Sequence, residues 1–307
     1  MGTEHKIANY DEAGFKYAKY WSDQVVGKAY EDLAERLAIS RMIPRSGYWF
    51  LDLGAGYGRL ADLYINRFDN VIICDYSIEN LKKAQQKIGA SQTLNTNIYY
   101  IAANAYHLPF RNDCFDAAMM IRVLAHIELP LEVLNEAYRI LAPGGNFILE
   151  FSNKRHLLEI LRGLLGLSSV SPFTLEPAPR GELTFNFHPE YIKRKLAEVG
   201  FAAQIYLSVS NLRNDLVKRL FNSRALMMLE SPLQYLFAPA RLGPSVFVGS
   251  QKPLSRLPIG IPNSLEDLLC CPACSVHPLV FHQNEISCPN CNESYIIDDE
   301  IIDLRIV

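Results

Sequence analysis

Apolar residues fall along this chain in two kinds of pattern. Runs at 48–53, 71–75, 97–102, 115–121 and 146–151 are short and almost continuously apolar, as strands buried on both faces are. Between them the apolar spacing changes to three and four residues. Leu60, Leu63, Tyr64 and Phe68 predict a helix over 57–68. Leu81, Ala84 and Ile88 predict a second helix, capped by Ser77. Leu131, Leu134, Ala137, Ile140 and Leu141 predict a third, ended by Pro143-Gly144-Gly145. A helix opening at Pro189 reaches Gly200, and strands from Phe201 to about 209 and over 245–249 bring the count to seven. Alternating strands and helices of this kind predict an α/β fold, a parallel, doubly wound sheet with right-handed crossovers. Ahead of the first strand, residues 9–40 carry helical periodicity with Tyr10, Phe15, Tyr17, Tyr20 and Trp21 at the front.

Two stretches interrupt the alternation. Residues 153–187 hold an apolar helical run (Leu157, Leu158, Ile160, Leu161, Leu164, Leu165, Leu167) and then a Ser/Pro-rich tail. Residues 211–240 hold a second run, from Leu212 to Leu236. Both are helical insertions with more apolar surface than short helices need. They cover one another, or they wall a pocket for an apolar molecule. Residues 251–263, with Pro253, Pro258 and Pro262 and little periodicity, are expected to link a domain over 1–250 to a module over 264–307.

Composition narrows the class. The 307 residues are 49% hydrophobic and 21% charged, with a formal net charge of −3. That balance describes a globular protein without a global basic field for nucleic acid. No run of eighteen apolar residues and no apolar N-terminal signal region is present, so no membrane span is expected and the cytoplasm is the expected location.

The chemistry starts where the first strand ends, in Leu51-Asp52-Leu53-Gly54-Ala55-Gly56-Tyr57-Gly58-Arg59. Glycines here allow a tight turn and close approach of a ligand to the backbone. Gly58 comes four residues after Gly54, whereas the dinucleotide fingerprint wants five, and Arg59 occupies that place. Asp52 precedes the turn, where a carboxylate suits a ligand carrying an ammonium group. Asp75 ends the second strand at the mouth of the crevice, where it can accept from both ribose hydroxyls of a nucleotide. Arg122 and His126 follow the fourth strand at its carboxyl end, the side on which open α/β sheets bind ligands. His126 is a candidate general base, or a hydrogen-bonding clasp for its loop.

Asp-Leu-Gly-Ala-Gly-Tyr-Gly resembles the first motif of class I S-adenosylmethionine (SAM) dependent methyltransferases. Asp75-Tyr-Ser-Ile-Glu-Asn-Leu-Lys-Lys-Ala is similar to the same region of the quinone-biosynthesis type. The resemblance covers about residues 40–250 and implies a Rossmann-like fold binding SAM. It implies Asp52, Gly54, Ala55 and Gly56 at the methionine end, Asp75 at the ribose, and Tyr76, Asn104 and Ala105 at the adenine. Asn104 stands where the family usually has Asp; it can still accept from the adenine amino group. The resemblance also places the loop of Arg122 under the methionine portion, and the segment holding Tyr17 and Tyr20 as a cover over the cofactor.

A second constellation lies in Cys271-Pro-Ala-Cys274 and Cys288-Pro-Asn-Cys291, two Cys-x-x-Cys knuckles thirteen residues apart. Four thiolates suit a tetrahedral zinc ion with no open position, hence a structural one. A segment of this size needs such a staple. Residues 264–307 resemble the small zinc-ribbon activator subunit that partners tRNA, rRNA and release-factor methyltransferases. With eight acids against one base, the segment has a net charge of −7 and suits protein contact rather than phosphate.

The expected function is methyl transfer from SAM to an acceptor, a small apolar molecule ahead of nucleic acid, with a protein partner a candidate for the acidic ribbon. Methylation of RNA or protein is the alternative implied by the ribbon's relatives. A non-catalytic scaffold of the same fold is the alternative from another class. The basic run Lys193-Arg194-Lys195 is read as a solvated helix face.

Overall fold

A computed structural model describes residues 28–90, 95–180, 184–255 and 260–306. The favoured cover residues, Tyr17 and Tyr20, lie outside them. The described chain opens with helix α1 (Lys28–Met42) and strand β1 (Gly47–Leu53). Alternation in β1 sends Leu51 and Leu53 to one face of the sheet and Phe50 to the other. The glycine turn follows, with Gly54, Gly56 and Gly58 all at positive φ (75°, 58° and 68°). A Cβ on Gly54 would also lie 2.1 Å from a methyl of Val123, so the turn needs glycine twice over.

The helix expected over 57–68 is replaced by turns around one short 3-10 helix, Ala61–Leu63. The next strand, β2 (Phe68–Asp75), starts earlier than its apolar run indicates and takes the last residues into the sheet. Arg67 is held there as its carbonyl accepts from Gly47 N (3.1 Å). Leu60, Tyr64 and Phe68 are buried nonetheless, and Tyr64 stacks on Phe50 with ring centroids 4.6 Å apart. Side chains serve the turn's carbonyls: Lys87 Nζ donates to Gly58 O (3.0 Å) and Arg36 Nη2 to Arg59 O (2.7 Å).

Helix α2 (Ile78–Gly89) is capped by Ser77, as expected, with its hydroxyl accepting from Asn80 N (3.1 Å). Strands β3 (Asn97–Ala102) and β4 (Phe115–Met120), helix α3 (Pro130–Ile140) and strand β5 (Leu141–Ser152) follow. β5 begins directly after α3, so Pro143-Gly144-Gly145 lies inside the strand rather than capping the helix. The distant segment after the last domain strand holds it there: Gly144 N donates to Lys252 O (2.9 Å).

The first insertion forms helix α4 (Leu157–Leu164) and a two-stranded ribbon, β6 (Ala178–Pro179) with β7 (Phe185–Asn186). Helix α5 (Pro189–Val199) ends at Gly200 in the left-handed region. Its basic run pairs within the helix, Lys195 with Glu198 at 2.8 Å and Lys193 with Glu190 at 3.7 Å. Strand β8 (Ala202–Val209), helices α6 (Asp215–Leu220) and α7 (Ser223–Leu236), and strand β9 (Ser245–Gln251) complete the domain. Seven strands lie in the order β3-β2-β1-β4-β5-β9-β8. The first five are parallel; β9 runs against β5, and β8 against β9, so β8 points the same way as β5. The fold is the expected Rossmann-like one.

The C-terminal segment forms α8 (Leu265–Leu268) and strands β10 (Val280–Phe281), β11 (Glu285–Ser287), β12 (Ser294–Asp298) and β13 (Ile301–Asp303). β10 to β13 pair antiparallel in sequence, and β13 then pairs parallel with β3, making one sheet of eleven strands. Leu304 N donates to Ala102 O (2.8 Å). Leu265, Leu268, Leu269 and Leu304 are buried in the domain's own core. The stretch read as a linker is anchored at both described ends. Lys252 pairs with Asp113 at 2.5 Å, and Pro262 O accepts from Trp49 Nε1 (2.7 Å).

Candidate functional site

A cleft of about 820 Å³, open mouth included, lies outside the carboxyl ends of β1 to β4. Gly54, Gly56, Asp75, Tyr76, Asn104, Ala105, Arg122 and His126 line it. These eight are sequence-predicted site residues, drawn from four separate loops. Ala55 belongs to the same turn without lining the cleft, as does Asp52, which stands behind it.

Each position follows from local structure. Asp75 ends β2, and its carboxylate ties the glycine turn to the next helix. Oδ2 accepts from Gly56 N (2.7 Å) and Oδ1 from Ser77 N (2.9 Å). Asn104 ends the β3 loop, its Oδ1 accepting from Tyr106 N (3.0 Å). Tyr106 is buried, and its hydroxyl accepts from Glu128 N (3.1 Å) and Leu129 N (3.3 Å). It fastens the His126 loop against the β3 loop. His126 ends the short 3-10 helix Leu124–His126 at the cleft wall.

Asp52 faces the other way. The β1 alternation puts it on the face of Phe50, where its carboxylate accepts from Tyr64 OH (2.6 Å). Burial pushes its pKa up to about 7, the charge of Asp75 adding to that and the Tyr64 hydroxyl and Arg59 opposing it.

Beside it lies a cluster that the sequence reading missed. Glu35 of α1 is fully buried and bridges two loops, accepting from Arg59 Nη2 (2.7 Å) and Arg122 Nε (2.7 Å). Burial alone would raise its pKa, but the two guanidinium groups hold it below the ordinary carboxylate range. Arg122 has φ +62°, uncommon for a residue with a side chain, and its N–H donates to the buried Glu150 Oε2 (3.0 Å). Burial holds the Glu150 pKa above the usual range. A lone glutamate inside the apolar run of β5 was the available signal. Asn80, Ile121, Val123 and Ile127 also line the cleft unforeseen.

The ribbon reaches the cleft's far wall. Arg305 Nη1 donates to Tyr76 O (3.2 Å), and its guanidinium lies 5.3 Å from the Tyr76 ring centre. Within the ribbon, the Sγ atoms of Cys271, Cys274, Cys288 and Cys291 lie within 4.8 Å of one another. The Cys271–Cys291 and Cys274–Cys288 separations are 3.6 and 3.5 Å. Four sulfurs around zinc at ~2.3 Å would stand about 3.8 Å apart, so the donor set fits that ion. Cys270 is buried outside the four, as expected.

Residues 51–149 match the methyltransferase-domain family. The chain is 32% identical over 211 residues to the ubiquinone/menaquinone biosynthesis C-methyltransferase UbiE of Methylococcus capsulatus, covering 64% of this chain and 78% of that one. It is 31% identical over 119 residues to the demethylmenaquinone methyltransferase of Paenarthrobacter aurescens, spanning 38% of this chain and 44% of that relative. A further demethylmenaquinone methyltransferase, from Protochlamydia amoebophila, is spanned over 43% of its length. A solved complex between the Haloferax volcanii Trm112 methyltransferase activator and a methyltransferase has the same fold, with a TM-score of 0.52 at 16% identity, covering 81% of this chain and 99% of that one. Fold, cleft and relatives agree: the chain belongs to the SAM-dependent methyltransferase family.

Proposed function

We propose that the protein transfers the methyl group of SAM to a ring carbon of a small apolar acceptor of the quinol class. The observation that carries the reading is the cleft itself, apolar in most of its lining and presenting the Asp75 carboxylate where a ribose would lie. The named activities of the relatives supply the acceptor class.

The residues divide the work along the cleft. Asp75 would accept from the ribose hydroxyls. Tyr76, Asn104 and Ala105 would flank the adenine, while Gly54, Ala55 and Gly56 leave the backbone open to the methionine end. Asp52 would act from behind that turn, its charge reaching a ligand ammonium. Arg122, held rigid by Glu35 and Glu150, would orient the inner end. SAM, when bound, supplies an electrophilic methyl on a sulfonium; positioning the acceptor against it provides most of the rate. A carbon acceptor must then lose its ring proton, and His126 is the group we assign to take it.

The four cysteines would hold zinc and keep the ribbon folded. We further infer that the ribbon supports the methyltransferase domain in cis, the part played by a separate chain in the Haloferax complex. Fusion makes that docking an intramolecular event.

Calorimetric titration of SAM tests the cofactor. Micromolar binding is expected for the wild type, and a loss of about tenfold or more for Asp75→Ala. Incubation with labelled SAM and a demethylated quinol should give a product one methyl heavier; an unmethylated quinol alongside intact SAM binding would remove the acceptor assignment.

A further inference from the structure

The sheet has a second feature on its cleft side. β5 and β8 point the same way as β1 and β4, so the segments leaving their carboxyl ends emerge on the side where the cleft opens. Those segments carry α4 and α6, and neither helix buries one residue. Yet five of the eight residues of α4 are Leu or Ile. Leu164 is 71% exposed, Leu167 72% and Leu220 77%, with Leu161, Leu216 and Phe221 also turned to solvent. Among the described residues, α4 and α6 therefore neither cover one another nor line the cleft. The insertions do meet at their bases: Arg155 Nη1 donates to Ala240 O (3.2 Å) and Leu157 N to Leu242 O (2.9 Å).

Charge decides what this face suits. Residues 153–180 and 211–224 hold eight Lys and Arg against three Asp and Glu. Lys154 is buried and the Lys218 side chain is buried on Glu31 (3.2 Å), so the exposed charges are four arginines against Glu176 and Asp215, a net +2. Arg162, Arg180, Arg219 and Arg224 are exposed among the leucines. Two copies packed face to face would bring like charges together, which disfavours a symmetric self-interface. Exposed leucines interleaved with arginines are the composition of a helix lying in a lipid headgroup boundary. Among the described residues no helix is long and apolar enough to cross a membrane, so contact would be from the surface.

We propose that this face docks on an anionic phospholipid bilayer, with α4 and α6 set into the interface. The proposal deepens the reading of an apolar acceptor: docking would bring the cleft to the layer in which such an acceptor dissolves.

Flotation of the full chain with vesicles tests it, using phosphatidylcholine alone and with about three parts in ten phosphatidylglycerol. Binding is expected to the anionic vesicles and to weaken with salt. Leu164→Asp with Leu220→Asp should lower the bound fraction about tenfold. Arg219→Glu with Arg224→Glu should lower it several-fold, with SAM affinity and melting temperature unchanged in both. No flotation of the wild type, or equal binding to both vesicle types, overturns the proposal. So does light scattering that shows a wild-type dimer made monomeric by the leucine substitutions. The readout needs no turnover, so its failure leaves the methyltransferase reading intact, and failure of methyl transfer leaves the docking result standing.

Discussion

Two apolar surfaces beside the sheet have met the same physical problem differently. At the β3 edge an open row of backbone groups and an apolar surface are covered by the chain's own ribbon. β13 pairs with the edge, leucines enter the core, and acids such as Asp298 face bases such as Lys82 (3.4 Å). At the opposite side, beyond β5 and β8, apolar helices stay uncovered and the charge is basic. An unpaired edge is a hazard that must be managed, whereas an exposed apolar face with matching charge is a surface with a use. The acidic module is spent on holding the fold together. The basic one is left facing outward.

The sharpest break in that comparison would come from the zinc proposed for the four cysteines. Cys271→Ser with Cys274→Ser should abolish bound zinc in elemental analysis and lower the melting temperature by roughly 10 °C or more, because metal binding is folding energy for so small a module. Unchanged zinc and melting would sink the assignment. Single leucines sharpen the contrast. Leu268→Ala, at the buried ribbon interface, should cost about 2–5 kcal/mol in urea unfolding, whereas Leu164→Ser on α4 should stay within about 0.5 kcal/mol. Equal costs would mean that the two surfaces do not differ as described.

A further test belongs to the sheet's centre. The folded chain holds the Asp52 proton up to about pH 7, where the unfolded chain has already lost it. The folded state binds more protons in that window, so stability falls as pH rises from about 4 to about 7 and levels off above. Asp52→Asn keeps a partner for Tyr64 and should flatten that part of the profile, measured by unfolding at a series of pH values. An unaltered slope would assign it to another group, Glu150 first.

What could be read beforehand was the placement of residues whose pattern is local in sequence. The glycine turn, Asp75, Asn104 and the paired Cys-x-x-Cys each concentrate their meaning within a few residues. The helix expected over 57–68 failed because a buried turn places Leu60, Tyr64 and Phe68 as well as a helix does, and the pull of β2 on Phe68 is not written in the spacing. Glu35 looked like one more charge on an amphipathic helix. Its meaning depends on Arg59 and Arg122, which reach it only in the folded sheet. The ribbon's acids suggested a protein contact, but nothing local named β3 of the same chain as the surface.

The pairing of Ile301 with Tyr100 and of Ile302 with Ile101 sets an order of events in time. During synthesis β3 leaves the ribosome about two hundred residues ahead of its neighbour, which at ~5–20 residues per second is a wait of about 10–40 s. Throughout that interval its edge is bare while the rest of the sheet is being made, open to any passing strand. The nascent chain would then draw on a holding chaperone until β13 emerges and pairs.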